Sequence, residues 1–265
     1  MNQLDESAIS PWSRCAVFLI NLDRSPDRLQ LADQNLASAQ VPYRRIAGFD
    51  ASKEDLRECR IDERSFQKTH GRTKPRKGEI GVYQSHLRAL LSFVESDKDF
   101  GIIMEDDASP ERCFTHGIAQ LIEWSDYWDI VPLFHFHSGG PVTMRQRAEF
   151  KLTLHTAHIS SAAAYLVNRK AAQKLLEYME IQRACVDHAL FEKWVHGLRL
   201  RGIQPMLVGL SAQAKVSTIG VEKSGKLPFL LRLPTFASRS SNALKILRHS
   251  MVELLRERFN SGRKA

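Results

Sequence analysis

Residues 101–107 read Gly101-Ile102-Ile103-Met104-Glu105-Asp106-Asp107, an apolar run that stops abruptly at three adjacent carboxylates. The run is short and continuous, as in a strand buried on both faces. Such a strand delivers acids to a sheet edge, and ligands of open α/β sheets bind outside the carboxyl ends of strands. Three neighbouring carboxylates repel one another and resist desolvation, and a divalent cation bridged to an anionic ligand offsets both costs. The plainer alternative is a solvated acidic surface.

Outward from this run, strands and helices alternate. Ala16 to Leu22 is a second continuous apolar run, and Ser25-Pro26 then supplies an N-cap and a first-turn proline for a helix over 27–39. Tyr43 to Ala47 reads as a short strand. The polar stretch containing Lys68, Arg72, Lys74, Arg76 and Lys77, with Gly71, Pro75 and Gly78, reads as an exposed loop. In 79–94, Ile80, Tyr83, Leu87, Leu90, Leu91 and Val94 recur at helical spacing. Helix 114–124, strand 129–136, strands near 151–157 and 162–167, and helices 169–179 and 187–196 follow. The alternation predicts an α/β fold with a mainly parallel central sheet covered by helices on both faces.

A chain of 265 residues, 43% hydrophobic, buries a full core. The four cysteines stand far apart with no CxxC pair, which argues against a ribbon-type zinc site and for reduced thiols. Met1 to Arg14 shows no apolar signal core, and no run approaches the roughly 20 residues of a membrane span. A cytoplasmic protein is expected. Charge divides the chain into a nearly neutral body, 1–222, and a tail, 223–265, with ten Lys and Arg against two Glu. Within the tail Leu244, Leu247, Met251, Leu254 and Leu255 recur at helical spacing beside Lys245, Arg248, His249 and Arg256. This basic amphipathic helix either docks on the body through its apolar stripe or binds an anionic membrane surface. Nucleic acid is disfavoured, because the tail lacks interleaved aromatics and the body has no basic excess.

Asn21-Leu22-Asp23 with Arg28, Gly78-Glu79-Ile80-Gly81 before Ser85-His86, Glu105-Asp106-Asp107, Ala164-Tyr165-Leu166 leading to Ala171 and Leu175, and Asp187-His188 occur in an order that resembles glycosyltransferase family 25. The resemblance is to bacterial lipooligosaccharide or lipopolysaccharide transferases and spans roughly residues 15–218. Val82-Tyr83-Gln84 and Met104 depart from the residues common in that family. The resemblance implies a GT-A nucleotide-sugar fold, a UDP-sugar donor such as UDP-galactose or UDP-glucose, Mn²⁺ or Mg²⁺, inversion at the anomeric carbon and a lipid-linked saccharide acceptor at the inner face of the cell membrane.

It also makes Glu79, Ser85 and His86 candidates for the donor pocket, with Asn21 reading the base and Arg28 the ribose or phosphate. A cation held by Glu105 and Asp107 stabilises charge on the leaving phosphate. Asp107 is the first choice for ligation at an exposed strand end; Glu105 holds metal or ribose, and Asp106 is a supporting or misdirected partner. Glu79 and His86, two helical turns apart, share a face. An inverting transfer needs a base, and Asp187 is assigned that role against an ordinary role as helix cap. His188 is a further donor, phosphate or metal contact, while His135, His137, His155 and His158 read as structural. Two other classes fit the residues: a metal-dependent phosphoester or nucleotide hydrolase, and a non-catalytic saccharide-binding protein.

Overall fold

A computed structural model describes residues 10–211, 225 and 227–261. Its centre is a five-stranded sheet ordered β2-β1-β3-β8-β5, from β1 (Cys15–Asn21), β2 (Tyr43–Ala47), β3 (Phe100–Glu105), β5 (Ile130–Pro132) and β8 (Ala164–Asn168). β2, β1 and β3 pair in parallel, whereas β8 pairs antiparallel with both β3 and β5. Four of the five strands therefore point the same way, as the mainly parallel sheet requires, and β8 alone runs against them, which makes the sheet mixed in its pairings. Nothing in the composition of Ala164–Asn168 marks its direction.

The apolar runs are buried on both faces. Val17, Leu19, Ile102 and Met104 join the core on one side, with α1 (Pro26–Ser38) and α4 (Phe114–Glu123). Phe18, Ile20, Ile103 and Tyr165 join the other, with α3 (Lys77–Val94), α5 (Arg169–Met179) and α6 (Val186–Phe191). Gly101 is required here, because a Cβ would stand 2.6 Å from the Phe93 ring of α3.

Several elements differ from expectation. The polar stretch is not all loop: α2 (Glu63–His70) forms where Asp62 accepts from the Ser65 N–H at 3.0 Å, and it ends at Gly71 with φ 66°. The strand expected over 129–136 shrinks to Ile130–Pro132, and the helix expected over 187–196 breaks at Glu192 into α6 and α7 (Lys193–His196). Ser25 makes no side-chain cap; its carbonyl instead accepts from Asn21 Nδ2 at 3.0 Å. The strand expected near 151–157 is β7 (Phe150–His155), but it lies in an antiparallel sheet with β6 (Pro141–Arg147) and β9 (Gly202–Gln204); those two strands and the pair of β4 (Ala108–Pro110) with β10 (Val208–Leu210) were not anticipated.

The tail forms α8 (Leu233–Ser261), packed against α2 and α7. It docks through a largely polar face rather than through its apolar stripe. Thr235, Ile246, Ser250 and Glu253 are buried, while Leu244, Leu247, Met251 and Leu255 are about half exposed or more. Glu253 Oε1 accepts from Arg201 at 3.0 Å, and Lys193 Nζ donates to Ser250 Oγ at 2.9 Å and to the His155 carbonyl at 3.0 Å. The boundary expected at 222/223 and the residues Lys223, Lys226, Arg263 and Lys264 lie outside the described residues. Among the described residues no helix is long and apolar enough to cross a membrane.

Candidate active site

β1 and β3 run side by side with Ile20 opposite Glu105, so the residues after each strand meet at one edge of the sheet. There Asn21 Nδ2 donates to Asp106 Oδ2 at 2.8 Å. Arg28, at the start of α1, pairs with Asp106 and lies 3.3 Å from Asp107 Oδ2. From the opposite side His86, fully buried on α3, places Nε2 3.1 Å from Glu105 Oε1 and Nδ1 3.2 Å from the Tyr165 hydroxyl. A neutral ring satisfies both if Nε2–H donates to Glu105 and the Tyr165 hydroxyl donates to Nδ1.

The three acids thus face different partners. Asp106 is buried beneath Asn21 and Arg28; burial raises its carboxyl above the usual range, and those two neighbours oppose the rise. Burial, then the nearby Glu105, pushes Asp107 up to about 6 against the pull of Arg28. Asp107 is mostly enclosed, not at an exposed strand end: its side chain is 19% accessible and its backbone carbonyl accepts from Ser211 N at 2.8 Å.

Asn21, Arg28, Ser85, His86, Glu105 and Asp106 line one cavity of about 220 Å³. Ser85 shapes it by accepting from Phe49 N at 2.8 Å, which pins the loop after β2 to α3. Gly81 permits that approach, since a Cβ there would meet the Phe49 carbonyl at 2.9 Å. Arg24, Asp50 and Ser52 also line the cavity and were missed, and Lys77, which the sequence placed in an exposed loop, lines it as well. Asp50 had a legible signal: it follows a strand parallel to β1, whose carboxyl end belongs at the same edge.

Asp107 adjoins Asp106 but does not line the cavity, and three other expected residues lie elsewhere. Glu79 does not work with His86; its carboxylate takes Arg72 at 2.7 and 2.9 Å and the Arg76 N–H at 2.8 Å, closing the start of α3. Asp187, half-buried on α6, accepts from the His188 N–H at 2.9 Å. His188 lines a second cavity of about 550 Å³, bounded by α2, the segment after β7, α6, α7 and α8. His155 and His158 also line that cavity.

The acid edge fits a hard divalent ion. Glu105 and Asp107 offer oxygens, and Asp107 Oδ1 is buried without a hydrogen-bond partner among the described residues. No three His, Cys, Asp or Glu among the described residues form a complete metal site.

The sequence pattern of glycosyltransferase family 25 (LPS biosynthesis protein) matches residues 15–190, which include β1, the acid edge, α3 and Asp187. A comparison with curated proteins gives no significant match. The match spans well over half of the chain and contains every residue of the acid edge, so the chain belongs to glycosyltransferase family 25.

Proposed function

We propose that the protein is an inverting, metal-dependent transferase of GT-A type that moves a hexose from a UDP-sugar to a lipooligosaccharide or lipopolysaccharide acceptor at the cytoplasmic membrane surface. The observation that carries this reading is the meeting of Asn21, Arg28, Glu105 and Asp106 at the carboxyl edge of two parallel strands, opening on a cavity. That edge is where α/β sheets bind nucleotides.

Glu105 and Asp107 would hold the ion, which when bound would supply positive charge to the leaving diphosphate. Arg28 keeps Asp106 and Asp107 from repelling each other across the edge and adds a second cation on the donor side. His86 orients Glu105 from beneath. Asp187 accepts the proton of the acceptor hydroxyl; that oxygen bonds the anomeric carbon as the bond to the diphosphate breaks, the electron pair leaving on phosphate. The outward apolar stripe of α8, flanked by Lys245, Arg248 and Arg256, lies on an anionic leaflet and brings the edge to its lipid-linked acceptor.

The test is a panel of nucleotide-sugars with Mn²⁺, with and without a soluble oligosaccharide acceptor. Acceptor-dependent release of UDP supports transfer. Full turnover without acceptor identifies a hydrolase, and no turnover with any donor identifies a binding protein.

A further inference from the structure

We infer that the larger cavity under α8 is a subsite for the uncharged sugar rings of the acceptor glycan. This rests on the proposed transfer reaction for its role, but not for the binding itself. At about 550 Å³ the cavity is more than twice the size of the donor-side one and within the range of small-molecule sites.

Its lining suits a polyol. His70, His188 and His158 stand in a row with ring centroids 5.0 Å apart. Burial drives His70 down to about 3 and lowers His158, so both are neutral at pH 7 and each carries one ring N–H donor. His70 Nε2 accepts from Cys185 N at 3.0 Å, which leaves its Nδ1 carrying the proton. The Trp194 ring and the Asn242 amide complete a wall of flat apolar faces and hydrogen-bonding groups, which matches the C–H faces and hydroxyls of a sugar. Its charged lining residues do not converge on an anion: Arg239 is exposed, Lys193 Nζ is already bonded to Ser250 Oγ and the His155 carbonyl, and Glu192 accepts from the Tyr178 hydroxyl.

The cavity's position also fits. Arg72 bonds Glu79 of α3 and lies 3.8 Å from Cys185 Sγ, and Cys185 in turn bonds His70. This chain of contacts links the start of α3, whose Lys77 lines the donor cavity, to His70, which lines the larger one. Asp187 lies two residues beyond Cys185, next to His188. Because α8 is the outer wall, a lipid held at its outward stripe leaves the attached glycan to enter from the rim.

The test is saturation-transfer NMR on the full chain with methyl hexosides, short soluble oligosaccharides, alkyl glycosides and inorganic phosphate as probes. The expected result is binding of the soluble saccharides, weakened about threefold to tenfold by Asn242→Ala, as for one lost hydrogen bond, and more by Trp194→Ala, with folding of both checked by thermal melts. Retention of full binding by a folded Asn242→Ala or Trp194→Ala protein overturns the assignment, as does absence of binding by wild type. Binding of alkyl glycosides alone gives the cavity to an acyl chain, and displacement by phosphate gives it to an anion; either also overturns it. Saccharide binding lost in the variants by a protein without transferase activity upholds the subsite and refutes the transfer reaction.

Discussion

The orientation of α8 makes a quantitative prediction about membranes. Leu244, Leu247, Met251 and Leu255 are 69, 49, 51 and 51% exposed, Leu247 at the rim of the larger cavity. Fully burying such a side chain is favourable by roughly 1.5–3 kcal/mol, so immersing the accessible part of these four yields about 4 kcal/mol. Lys245, Arg248 and Arg256 add on the order of 1 kcal/mol each beside an anionic leaflet. The sum, about 7 kcal/mol, corresponds to half-binding near 10 µM accessible lipid at low salt. Changing Leu244→Ser together with Leu255→Ser removes about 2 kcal/mol, a loss on the order of thirtyfold in vesicle sedimentation. The same pair should leave stability within about 0.5 kcal/mol, because neither side chain is docked. Glu253→Ala is the contrast: it leaves Arg201 and Lys193 buried without their carboxylate and should cost about 3–5 kcal/mol. Failure of the full-length protein to bind anionic vesicles at low salt, or loss of stability in the double serine variant, refutes the reasoning.

Asp187→Asn should reduce turnover roughly a hundredfold to ten thousandfold with little change in donor affinity, and steady-state kinetics with near-normal turnover would reassign the base. Stability should fall as pH drops from 7 to 5. His155 and His196 are buried, which holds their folded-state pKa values at about 3 and about 4 against 6.5, so the unfolded chain takes up protons that the folded one cannot. Each contributes a loss of about 2 kcal/mol at pH 5, so denaturant midpoints measured across this range should decline, and a flat profile would contradict the burial of these rings.

The central strands were legible because burial on both faces leaves a continuous apolar run, as in Ala16–Leu22 and 101–104, and α3 was legible because one face alone is apolar. β6 reads Pro-Val-Thr-Met-Arg-Gln-Arg, an edge strand with no buried side chain, and leaves no such pattern. α2 carries a single buried residue, Phe66, and depends on its Asp62 cap and Gly71 stop. The helix in the tail was readable, but its docked face was not. That face is polar, and Glu253 and Ser250 are buried only because Lys193 and Arg201 wait for them far away in sequence. The acid edge was visible as three letters, yet the partition of its charges among His86, Asn21 and Arg28 requires the strand register. The larger cavity had no local signature, since its walls come from Thr69 through Leu247.

Calorimetric titration of UDP into the full chain, with Mn²⁺ and with chelator, tests the acid edge as a metal-dependent nucleotide site. Binding should require the ion, and Asp107→Asn should weaken ion-dependent binding by about a hundredfold, the order expected for a lost charge contact to a diphosphate, with thermal stability preserved. Equal affinity for UDP in chelator and in Mn²⁺, or undiminished ion-dependent binding by Asp107→Asn, would contradict the account.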